Sequence, residues 1–195
     1  MPFYSDTTLT GVDPLAKALG YKNWNFSPAI GAGNGTAPTS QTIYCSSLWL
    51  PVGTVCTGVV IYVVTAAAGN KPTSFSAGLC TATKMVAQSA ADVSGNAGAP
   101  FAAQGENQIA LTGTYTTNAS DSSTGLYYLL LLQNGSYSVT QPQFGRNVQA
   151  IPPLALSGQA LPWGTAGTGQ TALPANGAAV TIVATNGLGF FAGIY

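Results

Sequence analysis

The sequence predicts an all-β protein, an antiparallel two-sheet sandwich of jelly-roll-like character, preceded by an N-terminal arm with one short helix. Three observations lead there. From Gln41 onward, stretches rich in β-branched and aromatic residues alternate with clusters of Gly, Pro, Asn and Ser, giving about eight strands. Two of these stretches, Val59 to Val64 and Leu126 to Leu132, are apolar at successive positions, as strands covered on both faces are. No helical periodicity competes with this pattern.

The elements follow in chain order. Residues 1–40 form the arm and residues 41–195 the sandwich domain. Within the arm, Asp13-Pro14-Leu15-Ala16-Lys17-Ala18-Leu19-Gly20 reads as a two-turn helix. Asp13 is its N-cap, Pro14 takes the first helical position and Gly20 ends it. Tyr21, Trp24 and Phe26 then place three aromatics within six residues, ahead of the Gly-rich joint Gly31 to Pro38. Such an arm is built either to dock on a neighbouring subunit, with Tyr21, Trp24 and Phe26 as the assembly contacts, or to pack back on its own domain.

Five strands stand out in the domain: Thr42 to Leu50, Val55 to Thr65, Ser74 to Met85, Gln108 to Tyr115 and Leu126 to Gln133. Four Asn-Gly pairs begin at Asn34, Asn134, Asn176 and Asn186, and Asn-Gly is the dipeptide that best tolerates the two positive φ angles of a type I′ turn. Two predict hairpins: Leu126 to Gln133 returning as Ser136 to Thr140, and Ala179 to Thr185 returning as Leu188 to Tyr195. The strands Val59 to Val64 and Leu126 to Leu132 should be central, and a second sheet, an arm or another copy must cover their outward faces. A jelly roll is the eight-stranded form of such a sandwich.

Composition narrows function. Only five basic and five acidic side chains occur among 195 residues, with no histidine, where an ordinary soluble domain is roughly a quarter charged. That removes most groups used for acid–base chemistry, metal ligation and nucleic-acid readout. Lys17, Lys22, Lys71, Lys84 and Arg146 are scattered, whereas phosphate binding needs clustered cations, so no nucleic-acid partner is expected. The carboxylates are Asp6, Asp13, Asp92, Glu106 and Asp121, read as solvated groups of the arm and loops. No catalytic, cofactor-binding or metal-ligating residue is assigned. Asp92, Glu106 and Asp121 with loop carbonyls offer calcium chemistry, but no EF-hand or repeated Asp spacing supports it.

Cys45, Cys56 and Cys80 form no CxxC pair and read as small buried hydrophobes, a Cys45–Cys56 bridge being the alternative. Sequons at Asn34, Asn118 and Asn134 occur at about the chance frequency for so Ser/Thr-rich a chain. The first residues show no basic segment followed by an apolar stretch, so no signal peptide is expected, and no run reaches the roughly 18 apolar residues of a membrane span. Trp49 and Trp163 should be buried, and Tyr115 and Tyr137, near strand ends or loops, are the surface aromatics that could stack on a sugar. A net charge of zero leaves nothing long-ranged to keep copies apart and predicts a permanent homo-oligomer.

The succession Leu48-Trp49-Leu50-Pro51-Val52-Gly53-Thr54-Val55, then Gly58 to Val64, then Phe75 to Cys80 followed by Met85 to Ala90, resembles the β-sandwich domain of structural proteins from tailed bacteriophages, in particular minor tail proteins. Gly125 to Leu132, Gln141 to Arg146 and Thr165 to Ala175 are similar to later segments of the same proteins. The likeness covers residues 41–195, not the arm, and at Cys80-Thr81 the chain departs from the Tyr and Asp usual in such proteins. It implies a non-enzymatic virion structural protein, made in the host cytoplasm and mounted on the tail or its tip. Its partners would be other virion proteins, its own copies (a trimer is preferred), and a host-surface glycan. Two alternatives are a capsid decoration or head-fibre protein gripping the shell through residues 1–40, and a glycan-binding adhesin module.

Overall fold

The computed structural model describes residues 22–24, 34–70, 72–91, 100–146, 163–184, 190 and 192–195. Within them the chain is all-β, with two antiparallel sheets and no helix. The strands are β1 (Asn23–Trp24), β2 (Asn34–Thr36), β3 (Ile43–Trp49), β4 (Val55–Thr65), β5 (Ser74–Cys80), β6 (Met85–Gln88), β7 (Gly105–Thr116), β8 (Leu126–Asn134), β9 (Gln143–Arg146), β10 (Trp163–Thr165), β11 (Val183–Ala184) and β12 (Ala192–Ile194).

In the first sheet, β4 is the spine. It carries β12 and β9 along one edge and β7 along the other, with β1 outside β12 and β2 outside β9. The second sheet runs β11-β10-β3-β8-β5-β6. The helix expected at Asp13 to Gly20 lies outside the described residues, as do Tyr21 and Phe26. The described pieces of residues 1–40 are strands: Trp24 pairs with Gly193, and Gly35 with Gly145, so the first sheet includes chain from before residue 40.

The sheets face each other across one apolar layer. From the first come Cys56, Val59, Ile61, Val63, Leu111 and Ile194; from the second come Leu48, Phe75, Leu79, Tyr127, Leu129 and Leu131. Phe101 fills the middle, its ring edge-on to Phe75 at 4.7 Å and to Phe144 at 4.9 Å, an arrangement aromatic quadrupoles favour. Alternation then puts Tyr128, Leu130 and Leu132 on the outer face of the second sheet, beside Ile43, Cys45, Cys80 and Met85. All of these are buried. Their cover comes from the same chain: residues 166–182 cross that face, with Leu173 and Val180 packed into it. Gly78 makes room for this strap, because a Cβ there would collide with Met85 and press on Leu173. Backbone hydrogen bonds fasten it at both ends, from Ala166 N to Ile43 O, from Gly177 N to Met85 O and from Val180 N to Thr83 O.

Neither predicted hairpin forms. β8 is hydrogen-bonded to β3 on one edge and β5 on the other, so no edge is left for residues 136–140 to return along. At Asn134-Gly135 only the glycine has positive φ, and the chain crosses over, Thr140 bridging Ala68 beside the first sheet. Val183–Ala184 pairs with β10 in the second sheet while Ala192–Ile194 pairs with β4 in the first, so those segments do not pair with each other. The stretch Ser74 to Met85 is instead a true hairpin. Thr81 folds it, accepting hydrogen bonds on its hydroxyl from the N–H groups of Thr83 and Lys84.

All three cysteines are free and buried. Cys56 lies between the sheets and Cys45 beneath the strap, on different faces, so the Cys45–Cys56 bridge does not form. Burial pushes the Cys45 and Cys56 thiols up to about 12, and raises that of Cys80 as well.

Candidate functional site

The charged chemistry of the described residues converges at one end of the sandwich. The β5–β6 turn brings Lys84 against the 117–125 loop, which links β7 to β8. Lys84 Nζ meets Asp121 Oδ1 at 2.5 Å, while Asp121 Oδ2 accepts from the Tyr115 hydroxyl at 2.7 Å and from Asn118 Nδ2 at 2.6 Å. Asn118 Oδ1 in turn receives the Asp121 N–H and the Ser120 hydroxyl, the local closure through which Asn shapes tight loops. Tyr127 flanks Tyr115 with ring centroids 6.1 Å apart.

This arrangement positions a loop and is poorly suited to moving protons. The Lys84 ammonium, then the Tyr115 hydroxyl, hold the Asp121 carboxyl below its ordinary range, so it stays ionised at neutral pH. Desolvation, followed by the hydrogen bonds to Tyr127 and Asp121, raises the Tyr115 hydroxyl far above its ordinary value, so it stays protonated. A general acid or base needs a pKa near the working pH, and these two groups are pushed away from it in opposite directions.

Among the described residues no group of three His, Cys, Asp or Glu side chains converges. The three-carboxylate calcium cluster is not assembled. Glu106 pairs beside Tyr62, and about 30 Å of strand separates it from Tyr115, which holds Asp121; Asp92 lies outside the described residues. No helix among the described residues is long and apolar enough to cross a membrane.

The aromatics differ from expectation. Tyr137, expected at the surface, is buried at 4% exposure in the core between the sheets. Tyr115 is half-buried, with its hydroxyl turned into the loop network. Trp49, expected to be buried, is 38% exposed. Its indole N–H donates to the Thr124 carbonyl at 2.9 Å, and the ring edge lies over Gly125. Glycine is required there twice, for a φ of 73° and because a Cβ would strike the indole nitrogen. Placement on the outer face was readable from the alternation of β3; exposure was not, because it depends on where the strap ends. Trp24 contributes only its strand pairing, and Trp163 opens β10 beside Ser46.

Comparison with protein-family models, curated proteins and solved structures finds no match to this chain.

Proposed function

We propose that the chain is a non-catalytic structural protein of a tailed-bacteriophage virion, a surface-exposed jelly-roll-like sandwich at the tail or its tip that assembles with its own copies, preferably as a trimer. The observation that supports this reading is where the resembling segments fall. Leu48 to Val55 joins β3 to β4, Gly58 to Val64 lies within β4, Phe75 to Cys80 and Met85 to Gln88 are the β5–β6 hairpin, and Gly125 to Leu132 runs into β8. These are the central strands of the two sheets, paired β3 to β8 and β8 to β5, so the likeness traces a connected part of the fold. A surface with few charges and many hydroxyls, offering few sites to trypsin-like proteases, suits a particle exposed to a lysate.

A tail location is preferred to capsid decoration because β1 and β2 draw chain from residues 1–40 into the sandwich, whereas a shell-gripping anchor calls for a free arm. The test is gold labelling, with antibody against the purified chain, of density-banded particles from a lysate carrying the gene. Label at the tail is expected. A chain abundant in the lysate but missing from the particles by mass spectrometry would end the reading, and a monomer by sedimentation at about 10 µM would remove the self-assembly from it.

A further inference from the structure

The outer face of the second sheet is sealed over most of its length, and the exception lies at one end. Ile43, Cys45, Leu130 and Leu132 sit in the cluster covered by the strap, whereas the last row of that face, Trp49 opposite Leu126, lies at its margin with the indole open to solvent. A large aromatic at a margin is unremarkable if it is loosely held. This one is held through a chain of fixed contacts. The Thr124 carbonyl takes its N–H, the Gly125 notch seats its edge, and the loop carrying both residues is pinned by the Lys84–Asp121 pair, by Tyr115 and by Asn118. In a chain with so few charges, an ion pair thus fixes the loop on which the exposed tryptophan rests.

With its N–H already used, the indole offers a visitor its π surface. The rim is neutral and hydroxylated: Ser123 and Thr124 are exposed on the loop and Ser47 is half-buried on the same face of β3, while Lys84 and Asp121 neutralise one another. A pyranose ring suits such a surface. Its C–H face carries partial positive charge that the negative face of an aromatic attracts, and its hydroxyls match neutral donors and acceptors. Pre-fixing the ring removes the ordering cost that a mobile side chain would add on binding.

We infer that Trp49, on the outer face of the second sheet, is a stacking platform for a neutral oligosaccharide, rimmed by Ser47, Ser123 and Thr124 and held in place by the Lys84–Asp121 loop lock. The platform replaces Tyr115 and Tyr137 as the aromatic contact. It does not rest on a virion location. A chain absent from particles could still bind sugar, and a tail protein blind to every sugar would keep the reading above and lose this one.

The experiment is a titration of the intact, isotope-labelled chain with maltohexaose, cellohexaose and chitohexaose, each to about 10 mM, following the Trp49 indole N–H by NMR, with affinities from calorimetry. At least one sugar should shift that resonance in a saturable way. Trp49→Ala should weaken binding about tenfold or more, and Trp49→Phe, which keeps a smaller ring and a folded chain, about threefold. Lys84→Met, which frees the loop without touching sugar, should weaken binding about twofold to threefold while leaving the far-ultraviolet circular dichroism unchanged. Silence of the Trp49 resonance with all three sugars, or affinity unchanged in both Trp49 variants, would overturn the assignment.

Discussion

β8 and β7 are consecutive long strands joined by the 117–125 loop, and their surroundings are opposite. β8 is hydrogen-bonded on both edges, faces the inter-sheet core with Tyr127, Leu129 and Leu131, and faces the strap with Tyr128, Leu130 and Leu132. β7 is paired along its length only with β4, turning Ile109 and Leu111 inward and Glu106, Gln108 and Ala110 to solvent. Opposite Thr57 it also bulges, placing Leu111, Thr112, Gly113 and Thr114 between the pairs Gly58–Ala110 and Cys56–Tyr115. Bulges of this kind spoil an edge as a template for further strands. The contrast shows that a strand's apolar period reports how many faces are covered, while leaving the source of the cover unstated.

That contrast is broken most severely by emptying β8. Leu129→Ala removes a side chain from the inter-sheet core and Leu130→Ala one from under the strap, both from positions without solvent exposure. Each should lower unfolding free energy by about 2–5 kcal/mol in urea titrations. Equal penalties would mean that the strap face is packed as a core; a penalty under about 1 kcal/mol at Leu130 alone would mean that the strap is a loose cover.

Shortening the strap's own contact sharpens the same point. Leu173→Ala should destabilise by about 2 kcal/mol, and Cys45 and Cys80 beneath it should react faster with a thiol reagent while Cys56, between the sheets, does not. Acceleration at all three thiols alike would indicate global rather than local opening.

Proton linkage gives the next effect. The Cys45 and Cys56 thiols, ordinarily near 9, are pushed up to about 12 by burial, so the folded chain keeps protons that the unfolded chain has released. Stability should therefore be fully present below about pH 9 and fall progressively from there toward 12, with the raised Tyr115 and Tyr195 hydroxyls adding to the slope. Denaturation midpoints at pH 8 and pH 10.5 measure it, and replacing the cysteines by alanine should flatten the decline.

Much of the sandwich was readable before any coordinates. The alternation in β3, the doubly apolar β8 and the polar outer face of β7 each follow from side chains pointing to opposite faces of a strand. What escaped was long-range. The strap sits about forty residues beyond β8 in sequence and signals itself by little more than Leu173, among small and polar residues. Asn134-Gly135 carries a hairpin signal, but β3 and β5 already occupy both edges of β8, a constraint that a local motif does not contain. The end network was half visible: Asp121 and Tyr115 were singled out separately, whereas Lys84 and Asn118 became meaningful only once the β5–β6 turn met the β7–β8 loop.

The smallest effects belong to β7 and to the loop lock that follows it, and they test whether β7 is truly the permissive member of the pair. Lys84→Met removes a partly exposed ion pair, which typically contributes less than about 1 kcal/mol because water competes for both partners. Gln108→Ala, on the solvent side of β7, should change stability by no more than about 0.5 kcal/mol, since it empties no core and orphans no buried group. A loss above about 1 kcal/mol at Gln108 would mean that the exposed face of β7 is under cover in the folded chain, which would make β7 a second doubly covered strand and remove the difference from β8.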